Sequence, residues 1–129
     1  MKQKEIVVLM VKPGESPKLT TLTNTLDNLQ KAVSIDAPSQ GLIEILSLEK
    51  DVCILCNEEG KLIGLAPNRR LGNDILVGVF YVTGQDKNGN LMSLPETKIQ
   101  KYAKLFEKPH TEISDDDVLK TIEANFFIM

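Results

Sequence analysis

The sequence has no tryptophan, one histidine and two cysteines among its 129 residues. A structural zinc site takes four ligands, and Cys53, Cys56 and His110 supply three at most, so no metal site is predicted. His110 follows a helix-stopping proline and no nucleophile motif such as G-x-S-x-G accompanies it, so it is predicted to be an exposed loop residue. We therefore predict no catalytic residues and no cofactor.

Long hydrophobic runs and an excess of basic charge are also missing. No stretch approaches the ~20 apolar residues of a membrane span. The net charge is -3 and the pI about 5.2, which disfavours nucleic-acid binding because that function needs a basic face. Residues 107–129 alone contain six acidic and two basic side chains, so a nearly neutral body is followed by an acidic end.

The two cysteines lie in the run Val52-Cys53-Ile54-Leu55-Cys56, which is typical of a strand. Three residues along a strand span about 10 Å and end on opposite faces, whereas a disulfide needs Cα atoms within about 7 Å. We expect Cys53 and Cys56 to be buried, reduced thiols, which suits a reducing compartment. The amino-terminal residues show no export signal, so a cytoplasmic location is predicted.

Apolar periodicity predicts an α+β fold with a mostly antiparallel sheet built from hairpins, in the order ββα, further strands and two helices. A single domain is expected over residues 1–108, with an acidic helical extension over 109–129 that packs on the same domain or on a partner subunit. Gly78 indicates a bulge or the close approach of another backbone. The predicted strands are Glu5–Val11, Lys18–Leu22, Leu42–Leu48, Asp51–Asn57, Lys61–Leu65, Ile75–Thr83 and the short Leu91–Met92.

Capping signals place three helices. Asn24 is the predicted N-cap of a helix over Thr25–Ser34, and the capping box from Ser93 to Glu96 begins a second. Ser114 caps the last one, with three aspartates in its first turn. The apolar stripe of the second helix is expected to be Ile99, Tyr102, Ala103 and Phe106.

A polar loop between two confident strands has two interpretations. In one, its basic and amide side chains surround a small anion, and these candidates are Asn57, Lys61, Asn68, Arg69 and Arg70. In the other, residues 57–60 and Pro67-Asn68 are turns, and the arginines form a solvated rim paired with Glu58, Glu59 or Asp74. Sequence reasoning leaves both open.

Several short segments carry a resemblance to a known family. They are Lys12-Pro13-Gly14, Leu26–Gln30, Cys56–Leu62 with Gly64, Pro67-Asn68-Arg69 and Gly78-Val79-Phe80. With them, residues 5–106 resemble the domain-of-unknown-function family numbered thirty-eight forty-six, small proteins of phages, plasmids and other bacterial mobile elements. The chain departs from that pattern at Ile35–Gly41 and after Pro109. The resemblance implies a fold and a genomic setting, and it implies no reaction.

The sequence therefore leads to a first functional hypothesis and an alternative. The first is a small cytoplasmic accessory protein of a mobile element that acts by binding an unknown protein or a small anionic ligand. The second is a sponge or enzyme for a phosphate-bearing small ligand that uses the Asn57–Arg70 loop. The apolar residues Phe126, Phe127 and Ile128 predict that the chain end docks, either on its own sheet or on a second subunit in a homodimer.

Overall fold

The computed structural model describes residues 4–109, 114 and 116–120. Eight strands and two helices have defined bounds there, and residues 116–120 belong to a third helix. The elements are β1 (Glu5–Val11), β2 (Lys18–Thr23), α1 (Leu26–Ala32), β3 (Ile43–Glu49), β4 (Val52–Asn57), β5 (Pro67–Leu71), β6 (Asp74–Val77), β7 (Phe80–Gln85), β8 (Leu91–Met92) and α2 (Glu96–Leu105).

The main sheet is antiparallel, with strand order β2-β1-β7-β4-β3 and β8 paired to β7. Strands β5 and β6 form a separate antiparallel hairpin. The predicted α+β fold is confirmed. Strands β1 and β7 are interior, as their continuous apolar character indicates, and β3 is an outer strand of the described sheet.

Side chains cover the main sheet on both faces. Ile6 and Val8 belong to a core cluster with α1, whereas Leu9 and Val11 belong to a second cluster with α2 and β6. The predicted stripe of α2 packs on this second cluster, and the Phe106 ring meets Phe80 edge to face with centroids 5.1 Å apart. The cleft described below lies on the α2 face.

Two predicted helix starts are wrong, because the capping side chains serve other partners. Thr25, not Asn24, caps α1 by accepting a hydrogen bond from the Asn28 N–H. Asn24 is buried and donates its side-chain amide to the Leu91 carbonyl. Pro95 precedes α2 without a side-chain cap, and the Ser93 hydroxyl instead accepts from the Val7 N–H at 2.9 Å.

Two predicted strands are also wrong. Residues 61–64 form a turn rather than a strand, and the next strand begins at Pro67. The run from Ile75 to Thr83 is broken by Gly78, whose φ is +70°, so β6 joins the small hairpin and β7 the main sheet. A Cβ on Gly78 would lie 2.6 Å from Leu65 Cδ1 and 3.2 Å from Asp36 Oδ2. Space at Gly78 is thus limited by two side chains, and not by another backbone as predicted.

The third helix begins as expected. The Ser114 hydroxyl accepts a hydrogen bond from the Asp117 N–H at 3.2 Å, and Val118 packs with Leu65, Ile75 and Val77. The predictions for His110 and for the homodimer through Phe126, Phe127 and Ile128 lie outside the described residues. None of the described helices combines the length and apolar character that crossing a membrane requires.

Glu49, at the end of β3, is hydrogen-bonded to three side chains of α2. Its carboxylate accepts hydrogen bonds from Lys98 at 2.7 Å, from Lys101 at 2.9 Å and from the Tyr102 hydroxyl. Because Lys98, then Tyr102 and Lys101, stabilise the charged form, the pKa of Glu49 falls to about 2. The same carboxylate raises the pKa of Lys98.

A pH dependence of stability follows from Glu49. A carboxyl with a lowered pKa stabilises the fold above its ordinary value of 4.5 and loses that contribution as the pH falls towards about 2. The melting temperature of the wild type is expected to fall more steeply between these pH values than that of Glu49→Gln. Other carboxyls also titrate there, so the difference between the two proteins is the measured quantity. Parallel curves would contradict a role for Glu49.

Candidate functional site

The five residues predicted to surround an anion are not brought together. Asn57 and Lys61 line a surface cleft, Asn68 and Arg69 are buried, and Arg70 forms a surface ion pair with Asp117 at 3.5 Å.

Asn57 organises the turn that follows β4. Its side-chain oxygen accepts a hydrogen bond from the Glu59 N–H at 2.9 Å, and its side-chain nitrogen donates to the Ser34 hydroxyl at 3.5 Å. A Cβ on Gly41 would lie 2.9 Å from that nitrogen. The amide of Asn57 is therefore held between the α1–β3 loop and the turn.

Asn68 joins three segments of backbone. Its side-chain nitrogen donates to the Val11 carbonyl at 2.9 Å and to the Gly78 carbonyl at 2.8 Å. Its side-chain oxygen accepts from Arg69 Nη1 at 2.7 Å. Asn68 lies in β5, and not in the turn that the second interpretation placed there.

Arg69 has no exposed surface. Nε and Nη2 both donate to the Phe106 carbonyl, at 3.0 and 2.9 Å, and Nη2 also donates to the Glu15 carbonyl. Burial lowers the pKa of Arg69, while the carbonyl at the end of α2 favours the positive charge. All three guanidinium nitrogens have protein partners, so Arg69 connects β5, α2 and the β1–β2 turn.

The cleft lies between the outer part of the main sheet and strand β6, and its volume is about 410 Å³. Leu46, Cys56 and Leu76 supply apolar surface, and Leu62 at its edge is 78% exposed. The remaining lining residues are Glu44, Asn57, Glu58, Lys61, Asp74, Ile75 and Val77.

The cleft carries more negative than positive charge. Glu44, Glu58 and Asp74 contribute carboxylates, and Lys61 contributes the one ammonium group of the lining. Lys61 is only 19% exposed and forms an ion pair with Asp74, which leaves the charges of Glu44 and Glu58 for a ligand. Such a cleft favours a cationic group over an anion.

Neither cysteine is placed for nucleophilic chemistry. Cys53 and Cys56 are both free and buried, and they lie in opposite core clusters, as strand geometry predicts. Burial, and then the nearby Glu44 carboxylate, raise the pKa of Cys56 to about 12, and burial raises the pKa of Cys53. Among the described residues, no group of His, Cys, Asp and Glu side chains could hold a metal ion.

We predict that both thiols stay reduced and unreactive in the native protein. Intact mass without reductant should show two free thiols, and labelling with a thiol reagent at pH 8 should run roughly a hundredfold slower than in denaturant. Loss of two mass units, or labelling at the rate of a free thiol, would contradict the burial described above.

Sequence reasoning missed Glu44, and it treated Glu58 and Asp74 only as partners of the arginines. Alternation along β3 was visible in the sequence, but nothing in it showed which strand is outermost or which loop lies opposite.

Fold and cleft together define a small α+β domain with an acidic cleft beside an outer strand. A family model described as Domain of unknown function (DUF3846) matches residues 4–107, and the chain therefore belongs to that family, as the sequence resemblance predicted. No curated protein and no solved structure matches the chain.

Proposed function

We propose that this protein acts by binding and that its binding surface is the cleft lined by Glu44, Glu58 and Asp74. The observation that carries the proposal is an open, partly apolar cleft of about 410 Å³ in which two carboxylates exceed the available positive charge. Its ligand is a positively charged segment of a partner protein. Apolar lining then supplies affinity, and the carboxylates supply specificity and orientation.

The same arrangement disfavours a phosphate-bearing ligand. Arg69 and Asn68 donate to protein oxygens in the core, and Lys61 is paired with Asp74. A phosphate entering beside Glu44 and Glu58 would meet two like charges. These contacts favour a protein partner among the ligands that the sequence left open.

The wider role is proposed from the family and the cysteines. A small binding protein suits an accessory role in a phage, plasmid or other bacterial mobile element. Two free, buried thiols suit the reducing cytoplasm of a host cell.

A titration followed by NMR of the backbone amides tests the proposal. Addition of trilysine at low salt is expected to shift amides at Glu44, Glu58 and Asp74 in a saturable way, and added salt should weaken the effect. Inorganic phosphate in the same concentration range should leave those amides unchanged.

The variant for this experiment is Glu44→Gln with Glu58→Gln, which should abolish the response to trilysine. The control is Glu59→Gln with Glu5→Gln, which removes the same charge from two exposed sites outside the cleft and should retain the response. Shifts spread evenly over the surface, or a response to phosphate at Lys61, would contradict the proposal.

A further inference from the structure

The outer edge of β3 is open within the described sheet. The Glu58 N–H donates to the Leu42 carbonyl at 2.9 Å, so the alternation of an antiparallel pair directs the backbone groups of Glu44 and Leu46 towards β4. Those of Ile43 and Ile45 point the other way. Ile43 and Ile45 therefore offer N–H and C=O groups along the free edge.

This edge is more apolar than the opposite one. Ile45 is 48% exposed and Leu42, just before the strand, is 54% exposed. At the other edge, β2 also exposes a leucine, Leu19 at 51%, but its sequence KLTTLT has only two apolar residues among a lysine and three threonines. Natural proteins protect unpaired edges with charges such as lysine, with proline or with a covering element. Strand β3 contains neither lysine nor proline. Its two charged residues are Glu44, which lines the cleft, and Glu49, which is paired with Lys98 and Lys101.

The cleft lies on one face of the sheet and extends to strand β3 at its edge. Glu44 is paired with Cys56, and both line the cleft. A strand added beside β3 would lie about 4.8 Å away. Its residue opposite Glu44 would then have its Cβ about 4.5–5.5 Å from that of Glu44 and would face the cleft. A lysine or arginine at that position would reach the carboxylates of Glu44 and Glu58.

We propose that the partner is an extended segment of another protein that adds as a strand to the outer edge of β3 and places a lysine or arginine side chain in the cleft. This inference rests on the proposed function and specifies how the cleft is used. Main-chain hydrogen bonds to Ile43 and Ile45 give affinity, and the basic side chain gives register and specificity.

Charge complementarity favours such a partner over a second copy of this chain. Strand β3 carries Glu44 and Glu49 and no basic residue. Two copies paired through β3 would bring two acidic clefts to one interface, which is unfavourable.

The probe is a library of random twelve-residue peptides, displayed on phage and selected on the immobilised full chain. We expect enriched sequences that alternate β-branched residues with a lysine or arginine. The affinity of the best synthetic peptide is then measured by calorimetry against variants of the protein. Failure to enrich any sequence with a basic residue would overturn the inference.

The decisive variant is Ile45→Pro, which removes an outward N–H and leaves the pairing with β4 intact. Its matched control is Thr21→Pro on the opposite edge. Thr21 pairs with Val7, and the bond from the Asn24 N–H to the Lys4 carbonyl places the Thr21 N–H outward by the same alternation. Ile45→Pro should lower the affinity for the peptide by about tenfold or more, and Thr21→Pro should leave that affinity unchanged.

Modified peptides test the same point on unaltered protein. Two versions of the peptide are N-methylated at odd or at even positions. Only the set that faces β3 should lose about tenfold or more in affinity, because alternate amides of a strand point in opposite directions. Equal losses, or none, would overturn strand addition.

Charge reversal separates this inference from the proposed function. Glu44→Lys should also lower the affinity for the peptide by about tenfold. Suppose that it does, but that the Ile45→Pro protein binds the peptide normally and the wild type binds both methylated peptides normally. The cleft then binds cations and strand addition is wrong. If light scattering shows a dimer that Ile45→Pro dissociates, a second copy occupies the edge and the inference is overturned.

Discussion

Replacement of Arg69 with alanine is expected to lower the free energy of unfolding by about 3–5 kcal/mol. The side chain is fully buried and all three guanidinium nitrogens donate to protein oxygens. Its removal leaves a cavity and deprives the Phe106 carbonyl of two buried donors. The Glu15 carbonyl in the exposed β1–β2 turn also loses its bond to Arg69. The loss is a large part of the stability of a domain of this size.

The neighbouring arginine is the matched control. Arg70 is exposed and its ion pair with Asp117 lies at the surface, so Arg70→Ala should change stability by about 0–1 kcal/mol. Both values are measured by urea unfolding at pH 7, followed by circular dichroism. Equal effects of the two substitutions would show that Arg69 does not connect β5, α2 and the β1–β2 turn as described.

Gly84→Ala is expected to lower the free energy of unfolding by about 2–4 kcal/mol. A Cβ at this position would lie 2.3 Å from the Ser93 carbonyl oxygen and 3.1 Å from that of Met92. Both obstacles are backbone atoms, so no side-chain rotation relieves the contact. Strand β8 would have to move away from β7, which also disturbs the bond from the Leu94 N–H to the Val7 carbonyl.

Gly89→Ala separates this contact from backbone strain. Gly89 has φ of +86°, and a Cβ there would meet nothing within 4 Å. Gly89→Ala should lower the free energy of unfolding by about 1 kcal/mol, because only the positive φ disfavours a side chain there. The two variants are compared by urea unfolding, and a Gly84→Ala protein as stable as Gly89→Ala would contradict the close packing of β8.

Local sequence patterns predicted most of the fold. Strand β1 matches its predicted bounds, since continuous apolar character marks an interior strand. The stripe on α2 was readable because helical periodicity depends only on neighbours in the chain. The errors at Asn24 and Ser93 have a common cause: a capping residue was also a good partner for a distant strand, and distance along the chain hid that partner.

The site was less predictable for the same reason. Arg69 is the same residue type as Arg70 and is next to it in sequence, yet two of its partners, Glu15 and Phe106, are 54 and 37 residues away. No local pattern distinguishes a buried arginine from an exposed one in the run Pro67–Leu71. The cleft depends on which strand is outermost and on how β6 leaves the main sheet at Gly78, and both are properties of the tertiary fold.

Hydrogen exchange at the Ile45 amide, with and without the selected peptide, shows whether the partner binds at the edge of β3. In the free protein this amide should exchange quickly, and saturation with peptide should slow it by about tenfold or more. The Thr21 amide on the opposite edge should be unaffected. An Ile45 amide already protected in the free protein, or unchanged by bound peptide, would contradict binding at the edge of β3.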